Sequence, residues 1–384
     1  MTRVSEPLPK PDEHGLDVSH RLGELIRAEL RANDGWMGFE RYMQFALYEP
    51  ELGYYHNGSR KFGFGGDFVT APELSSLFAK SIAKEISGVL AQLHDPVILE
   101  IGAGTGRFAQ DMINALSTRS IDVRYLILEP SAELRSRQQA RLASAHMDAT
   151  WLEKLPADPI QGVILANEVL DAFPVTCFVK REGETRPLGV GLMGEGFEWA
   201  EGEPDPGLTD RIAALEASLG RVLPDGFRSE ICPAGPAWIA SAASALDKGA
   251  ILAIDYGLTE REYYHPQRDS GTLICHYRHR AHVNPFLWPG LQDISAWVDF
   301  SACARAAEGA GLAVAGFTTQ GQFLIEGGAA ESLGEPDDAT PLQAAQALKT
   351  LILPGEMGER FKMMLLSRDL PLGSPPGRDF RNRL

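Results

Sequence analysis

A glycine-rich segment is the first part of the chain whose residue types could do chemistry. Residues 100–106 read EIGAGTG, with glycines at Gly102, Gly104 and Gly106. The segment follows a short apolar run, Val97 to Ile101, and precedes an amphipathic stretch. Glycine allows a tight turn and lets the backbone approach a ligand where side chains would collide. A strand that ends in such a turn and opens a helix predicts a nucleoside-binding site.

The spacing of the glycines separates two classes of nucleoside ligand. Position 107 is Arg107, so the pattern is GxGxG and differs from the GxGxxG of dinucleotide sites. An acid, Glu129, ends the next strand-like run, where a carboxylate can accept hydrogen bonds from both ribose hydroxyls. We therefore predict that S-adenosylmethionine binds to the three glycines, Ala103, Thr105 and Glu129. An exposed acid at a strand end is the alternative interpretation of Glu129.

A second candidate group follows the strand-like run Gly162 to Ala166. It comprises Asn167, Glu168 and Asp171, and two carboxylates three residues apart on a helical turn can face one way. Carboxylates that grip a planar guanidinium would orient it and hold its positive charge away from the attacking nitrogen. The three residues are thus candidate catalytic residues. Alternatively, Glu168 or Asp171 caps the following helix or forms an internal ion pair.

Further candidates flank these two groups. Thr70 and Glu73 have the spacing of a capping box, and Thr70 is also a candidate for cofactor binding. Asp67 and Phe68 precede them; we expect either cofactor contacts or, respectively, a turn and a hydrophobic staple. Asp255 ends a later strand and is either a contact near the substrate or part of a turn.

The elements around these residues alternate between strand and helix. Apolar runs at 97–101, 123–128, 162–166 and 250–255 predict an open, doubly wound, mostly parallel α/β sheet. A long helix is expected from Thr70 to about Leu93. We predict disordered tails at 1–16 and 367–384, a helical N-terminal cap at 17–94, and a binding domain at 95–366 with insertions at about 173–231 and 258–291.

The cysteine and histidine content argues against a metal site. The four cysteines lie far apart, which favours free thiols. Three histidines, His276, His279 and His282, follow Cys275, but Pro285 and the interleaved Tyr and Arg residues favour an irregular or extended surface. We therefore predict no metal.

Composition excludes several functional classes. The 384 residues are 44% hydrophobic and 23% charged, which is ordinary for a globular chain. Subtracting 52 acidic from 36 basic residues gives a net charge of −16, which disfavours nucleic acid and anionic membranes as partners. The N-terminal residues have neither the apolar core of a signal peptide nor an Arg-rich amphipathic pattern, so we predict a cytoplasmic protein.

Several segments together resemble one known family. EIGAGTG and the LEPS at 128–131 are similar to class I S-adenosylmethionine-dependent methyltransferases. More specifically, the chain resembles the MidA-like family over about residues 20–366, in the segments GDFVTAPEL (66–74), NEVLDAFP (167–174), DYG (255–257), LQDIS (291–295) and VDF (298–300). Trp297 departs from the family pattern, which has a histidine there. Mitochondrial members of this family are complex I assembly factors that act as protein arginine methyltransferases.

The resemblance implies the Rossmann-like fold of class I methyltransferases, S-adenosylmethionine as cofactor, and methyl transfer to an exposed arginine of a partner protein such as a complex I subunit. Two alternatives remain open at this point: an assembly factor that binds S-adenosylmethionine without turnover, and a small-molecule methyltransferase. An NAD-dependent dehydrogenase is disfavoured by Arg107 and by the lack of a recognisable acid/base pair for hydride transfer. The sequence predicts no particular oligomeric state.

Overall fold

The computed structural model of the protein describes residues 8–57, 70–331, 333, 340–373 and 377–384. Its α-helices are α1 (Glu13–Ala32), α2 (Phe39–Tyr48), α3 (Ala71–Leu74), α4 (Leu77–Leu90), α5 (Arg107–Thr118), α6 (Ala132–Ser144), α7 (Pro206–Leu219), α8 (Ala234–Ser244), α9 (Glu260–Tyr263), α10 (Phe300–Gly309), α11 (Gln320–Glu326), α12 (Pro341–Ile352) and α13 (Met357–Arg360). Among the helices of these residues, none is long and apolar enough to cross a membrane.

The strands are β1 (Met37–Gly38), β2 (Val97–Ile101), β3 (Arg124–Leu128), β4 (Thr150–Leu152), β5 (Ile160–Asn167), β6 (Thr176–Arg181), β7 (Glu184–Met193), β8 (Gly196–Glu201), β9 (Arg228–Ile231), β10 (Leu246–Leu258), β11 (Ile274–Tyr277), β12 (Arg280–His282), β13 (Asp293–Ser295), β14 (Val298–Asp299), β15 (Ala313–Thr319) and β16 (Phe361–Arg368). The chain folds into two compact units, which are described separately.

The first unit contains the sheet that the sequence predicts. It comprises residues 70–170, 235–257 and the described residues from 300 onward. The strand order is β15-β16-β10-β5-β2-β3-β4, in which the pairs from β10 to β4 are parallel and the two pairs made by β16 are antiparallel. The prediction of a mostly parallel α/β sheet is confirmed.

The order of the strands determines where a ligand can bind. From β2 the chain continues outward through β3 and β4, and then returns to the other side of β2 as β5. The carboxyl ends of β2 and β5 are neighbours, since Ile101 is in register with Ala166. In open α/β sheets, ligands bind in the crevice at this change of direction. Both candidate groups, the glycine segment and Asn167 with Glu168, begin there.

The packing of this unit follows from apolar stripes on the helices and continuous apolar strands. All five residues of β2 are buried, which is typical of a parallel strand covered on both faces. Helices α4 and α5 bury Phe78, Ile82, Phe108 and Met112 in the same core. This core holds the glycine segment between a rigid strand and a rigid helix.

The second unit comprises residues 8–57, 171–234 and 258–299 of the described chain. One sheet has the order β1-β7-β6-β9, with β8 paired to β7, and a smaller one has the order β12-β11-β13. Within the insertion expected at about 173–231, β6 and β8 each pair with β7 in the antiparallel sense. The two expected insertions therefore fold together with the N-terminal helices, because β1 pairs with β7 through Met37 and Val190.

Four local predictions need correction. The expected cap at 17–94 does not fold as one piece, because α3 and α4 pack in the unit with the parallel sheet. The helix expected from Thr70 to Leu93 is interrupted at Ser75, whose backbone is extended, so α3 and α4 are separate helices. No helix follows Asn167, since residues 168–175 form bends and turns. The tails are shorter than predicted: α1 begins at Glu13 and β16 continues to Arg368.

Candidate functional site

The glycine segment forms a left-handed turn between β2 and α5. Gly102, Gly104 and Gly106 all have positive φ, at 65°, 51° and 78°, a region that residues with a Cβ rarely adopt. Apart from Gly104 and its two neighbours in the chain, no described residue has an atom within 4 Å of the position that a Cβ on Gly104 would occupy. The turn therefore exposes backbone at Gly104 toward a space that a ligand can fill.

Gly106 has a different role, because it faces the next helix. A Cβ there would lie 3.2 Å from Cγ and 3.3 Å from Cα of Gln138 on α6. These distances are tighter than ordinary carbon contacts, so a side chain at residue 106 would displace α6 by a few tenths of an ångström. The third glycine thus allows helix packing as well as the turn.

Glu129 lies directly after β3 and is only 3% exposed. Its Oε1 accepts a hydrogen bond from the Ser131 backbone N–H at 3.0 Å, and its Oε2 accepts one from Gln138 Nε2 at 2.9 Å. The carboxylate is consequently held in one orientation at the carboxyl edge of the sheet. A buried, oriented acceptor at this place suits the two hydroxyls of a ribose.

The short helix α3 contacts the glycine turn through Glu73. The Thr105 hydroxyl donates to the Glu73 carboxylate, while Thr70 makes no side-chain cap to its helix. The predicted capping box is therefore wrong: Glu73 orients Thr105, whose Oγ1 in turn accepts from the Arg107 N–H at 3.3 Å. Thr70 precedes α3, and the predictions for Asp67 and Phe68 lie outside the described residues.

The second candidate group lies where β5 ends. Glu168 is not glycine yet has φ of 53°, and its N–H donates to the Ile254 carbonyl at 2.9 Å. Residues in this conformation cost about 1–3 kcal/mol and occur preferentially at functional sites. Asn167 Nδ2 donates to Glu168 Oε1 at 3.2 Å, while Asn167 Oδ1 is buried and has no hydrogen-bond partner among the described residues.

Asp255 fixes the bend that follows Glu168. This residue is 1% exposed, and its Oδ2 accepts from the N–H groups of Val169 at 3.2 Å and Leu170 at 2.8 Å. Its Oδ1 accepts from the Tyr256 N–H at 2.8 Å. The Asp255 carboxylate thus holds the backbone that follows Glu168, and its contact with a substrate stays a prediction.

Asp171 belongs to the second unit, in which the chain continues after Leu170. Its carbonyl accepts from the Ala296 N–H at 3.1 Å, and the next carbonyl, that of Ala172, accepts from the Tyr48 hydroxyl at 2.8 Å. Two consecutive carbonyls, those of Asp171 and Ala172, are thus held by hydrogen bonds. The common face expected for Glu168 and Asp171 on a helical turn is wrong, since no helix forms there, and their joint contact with a substrate stays a prediction.

The same unit places aromatic and acidic side chains around these two carbonyls. The rings of Tyr48 and Tyr55 stack with centroids 5.4 Å apart, and the Tyr55 hydroxyl donates to Asp293 Oδ1 at 3.1 Å. Burial, together with the nearby Asp293 and Asp171, raises the pKa of the Tyr48 hydroxyl. Stacked aromatic rings beside carboxylates form an environment that favours a planar cation.

The residues around Cys275 form a β-hairpin, with Cys275 paired to His282 across β11 and β12. His276 Nδ1 lies 3.9 Å from Asp293 Oδ2. Within the part of the chain that the structure describes, no group of three or more His, Cys, Asp or Glu side chains is placed to hold a metal ion. All four cysteines are free thiols.

Two polar residues of this site, Gln138 and Trp151, were not predicted from the sequence. Gln138 is completely buried on α6, most of whose residues are polar. It lies four residues from both Leu134 and Leu142, which are the other buried residues of that helix. A glutamine in the middle of an apolar stripe was the available signal. Trp151 lies on β4, too short a strand to recognise from its pattern.

A comparison with protein families decides the class. Residues 77–318 match the family described as "Putative S-adenosyl-L-methionine-dependent methyltransferase". The chain belongs to this family. The protein is accordingly an S-adenosylmethionine-dependent methyltransferase, and the resemblance found in the sequence is confirmed.

Solved structures agree with this membership. A protein from Burkholderia thailandensis, crystallised bound to S-adenosyl-homocysteine, is 38% identical, with a TM-score of 0.89 over 96% of this chain and 97% of that one. A native crystal structure from the same organism is also 38% identical, with a TM-score of 0.88 over 98% and 100% of the two chains. The fold and S-adenosylmethionine as cofactor are therefore confirmed.

The curated relatives are more distant. "Protein arginine methyltransferase NDUFAF7 homolog, mitochondrial" of Drosophila melanogaster is 26% identical over 90% of this chain and 84% of its own. The corresponding protein of Danio rerio is 26% identical over 85% and 82%. Both names are those of mitochondrial proteins, so our prediction of a cytoplasmic location, which rested on N-terminal composition alone, is contradicted by this comparison.

The residues at the end of the sheet fit the cofactor. The Gly104 backbone borders a space that a Cβ would enter, and the buried Glu129 carboxylate is oriented beside it through Gln138. The N-terminal turn of α5, which starts directly after Gly106, favours negative charge such as the carboxylate of a methionine moiety. We propose that Gly102 to Gly106 contact the cofactor through their backbone and that Glu129 binds the ribose hydroxyls.

Proposed function

We propose that this methyltransferase acts on the guanidinium group of an arginine in a partner protein. The observation that carries the proposal is the strained acid Glu168, held at the end of β5 by a network centred on Asp255. The names of the Drosophila and Danio relatives support arginine as the acceptor. By the same analogy, we propose a subunit of respiratory complex I, or a bacterial counterpart, as the partner.

The position of Glu168 follows from the topology. It comes directly after a central parallel strand, beside the strand that leads into the glycine turn. An acceptor bound there would lie at the same edge of the sheet as the cofactor turn. Positive φ at residues other than glycine costs free energy and is enriched at functional sites, so together with its position it supports a role for Glu168 in binding the acceptor.

The chemistry requires orientation more than activation. S-adenosylmethionine, when bound, supplies a methyl group already activated by its sulfonium. A guanidinium nitrogen forms the new bond to the methyl carbon as the carbon–sulfur bond breaks, and that nitrogen then loses a proton. We assign this proton to the Glu168 carboxylate. Bringing reactants into line in this way can lower a barrier by about 7–11 kcal/mol.

A guanidinium needs acceptors at defined positions, because it has five N–H donors in one plane and no acceptor. Glu168 supplies a carboxylate, and the buried Oδ1 of Asn167 has no partner among the described residues and can accept another bond. Asp171 is assigned as the second carboxylate. Charge-assisted bonds of this kind contribute about 1.5–3 kcal/mol each.

The second unit supplies features that suit an arginine side chain in a polypeptide. Tyr48 and Tyr55 form a stacked pair beside the buried Asp293. Arg and aromatic faces attract each other by about 0.5–2 kcal/mol, and a carboxylate next to the rings adds to this preference. These features of the second unit, taken by themselves, suit the side chain of an arginine.

The proposal is tested with purified protein, tritiated S-adenosylmethionine and the proteins of a lysate from cells that lack this gene. We expect label in the protein fraction after gel filtration. The double variant Glu168→Gln/Asp171→Asn should lose transfer at least a hundredfold while its affinity for S-adenosylhomocysteine, measured by calorimetry, stays within about threefold. Asp247→Asn, an exposed acid of the same unit as Glu168, is the control.

The other functions predict different results. A small-molecule methyltransferase would leave the protein fraction unlabelled. When the low-molecular-weight part of the lysate is added, it would form a labelled product that chromatography separates from S-adenosylmethionine. An assembly factor without turnover would bind S-adenosylhomocysteine but form no labelled product in either fraction. Unchanged protein labelling by the double variant would refute the assignment of the two carboxylates.

A further inference from the structure

We propose that Gln138 is a positioning residue for the cofactor ribose, and that Trp151 fixes the orientation of its amide. Gln138 Nε2 donates to the Gly104 carbonyl and to Glu129 Oε2, both at 2.9 Å. One amide group therefore connects the glycine turn to the acid assigned to the ribose. The proposal rests on that assignment of Glu129 and does not depend on the identity of the methyl acceptor.

The orientation of the Gln138 amide is fixed by its third partner. Trp151 Nε1 donates to Gln138 Oε1 at 2.9 Å, and an indole N–H can only donate. Oε1 must therefore face Trp151, which leaves both hydrogens of Nε2 for Gly104 and Glu129. An inverted amide would place its oxygen against the Glu129 carboxylate and the Gly104 carbonyl, and would also face Trp151 with a second donor.

Burial makes this arrangement rigid. Gln138 is 0% exposed, Glu129 is 3% exposed, and water cannot replace the bonds of a fully buried amide without rearrangement. Trp151 is itself placed by its register with Ile127 on β3, the strand that directly precedes Glu129. The position of Glu129 is thus determined by β3, which precedes it. The neighbouring strand β4 contributes through Trp151, which orients the Gln138 amide that bonds to Glu129.

This arrangement also gives the third glycine of the motif a specific purpose. A Cβ at residue 106 would meet Cγ and Cα of Gln138 at 3.2 and 3.3 Å. Gly106 lets α6 approach closely enough for the Gln138 amide to reach Gly104 and Glu129. The glycine turn, Glu129 and the distance between α6 and the turn therefore depend on one another.

The inference predicts that Gln138 determines how strongly the protein discriminates between ribose hydroxyls. The probes are S-adenosylhomocysteine and its 2′,3′-dideoxy analogue, and the readout is the ratio of their dissociation constants by calorimetry. In the wild type the ratio should be about tenfold or more, since bonds to a charged acceptor are strong. In Gln138→Met, which keeps the volume but has no amide, the ratio should fall to about threefold or less.

Trp151→Phe is the second variant, because it removes only the indole N–H that orients the amide. We expect an intermediate ratio and a lower thermal stability, because Gln138 Oε1 loses its donor while it stays buried. Gln161→Met replaces an exposed glutamine that bonds to Asp247 and should keep the wild-type ratio. If Gln138 had a purely structural role, Gln138→Met would weaken the binding of both probes equally and leave the ratio of their dissociation constants unchanged.

The possible failures are distinguishable. If the wild type prefers S-adenosylhomocysteine over the dideoxy analogue and Gln138→Met shows the same preference, the positioning role of Gln138 is wrong. The assignment of Glu129 to the ribose then stands. If the wild type binds both probes equally, Glu129 does not contact the ribose hydroxyls and the inference fails with it. Neither result bears on arginine as acceptor, which is tested by transfer and not by binding.

Discussion

The carboxylate of Asp255 accepts a 2.8 Å hydrogen bond from the backbone N–H of Leu170, on the bend that follows Glu168. Asp255 lies in β10, so a rigid strand holds the loop that carries the candidate acceptor-binding acid. We expect Asp255→Asn to lower the rate constant of methyl transfer at least tenfold and to leave the affinity for S-adenosylhomocysteine within about twofold. Single-turnover transfer and calorimetry measure the two quantities.

The control for this prediction is Asp247→Asn, an exposed aspartate of the same strand that bonds to Gln161. Both quantities should remain at the wild-type value. Loss of cofactor affinity in Asp255→Asn, with unchanged turnover of the bound complex, would show that Asp255 supports the cofactor site instead.

The glycine turn predicts a strong effect of a single side chain. Gly104→Val places a β-branched residue at φ of 51° and directs its side chain into the space next to the turn. We expect binding of S-adenosylhomocysteine to fall at least a hundredfold, and stability to fall by about 1–2 kcal/mol from the left-handed backbone. Calorimetry and urea unfolding measure these effects.

Gly194→Val separates strain from ligand contact. Gly194 has φ of 58°, and no atom of the described residues lies within 4 Å of its Cβ position, but it lies in the turn between β7 and β8. The variant should lose similar stability and bind normally. Equal binding by Gly104→Val and the wild type would contradict the assignment of the turn.

The contact between Glu73 and Thr105 predicts that α3 supports the cofactor site. The Glu73 carboxylate accepts from the Thr105 hydroxyl, so Glu73→Gln weakens a charge-assisted bond to the turn. We expect about a threefold to tenfold loss of affinity for S-adenosylhomocysteine. If Glu73 instead only began its helix, as the sequence pattern suggests, the variant would change stability and leave the affinity unchanged.

Glu100 predicts a dependence of stability on pH. Burial raises its pKa to about 7, while a 2.6 Å hydrogen bond from the Tyr125 hydroxyl opposes the shift and the nearby Glu129 adds to it. Because the folded pKa exceeds the unfolded one, the folded state holds this proton more tightly. Its contribution to stability is full below about pH 4.5 and is lost as pH rises through 7.

Between pH 5 and pH 8 this group alone should lower the free energy of unfolding by roughly 2 kcal/mol. In Glu100→Gln that part of the pH dependence should disappear, as measured by urea unfolding at both pH values. The comparison uses the difference between the free energies of unfolding at the two pH values. A loss of stability that the substitution causes equally at both pH values therefore cancels. The exposed Glu198→Gln should behave as the wild type, and an unchanged slope in Glu100→Gln would contradict the shifted pKa.

Much of the sheet was predictable because its signals are local. β2 matches the predicted 97–101 at both ends, and the glycines at 102, 104 and 106 require positive φ as expected from their type. Glu129 lies directly after β3, as predicted, because the apolar run before it forms the strand and the acid follows that run in the sequence. Such features depend on a few neighbouring residues, which the sequence presents together.

The features that were not predicted depend on contacts distant in sequence. A bend and not a helix follows Asn167, because the backbone N–H of Leu170 donates to the carboxylate of Asp255. Asp255 lies 85 residues further along the chain. Glu73 bonds to Thr105 across 32 residues, so its helix-capping pattern did not determine its role. Gln138 became recognisable only once α6, β4 and the turn were assembled, since its three partners lie on three different segments.

The most direct test of the central claim is the chemical identity of the methylated residue. Proteins labelled by the purified enzyme with S-adenosylmethionine would be digested and analysed by fragmentation mass spectrometry. The account predicts added methyl on a guanidinium nitrogen of arginine, absent when Glu168→Gln/Asp171→Asn replaces the wild type. Methyl on lysine, a carboxylate or an N-terminal amine, with no methylarginine, would contradict it.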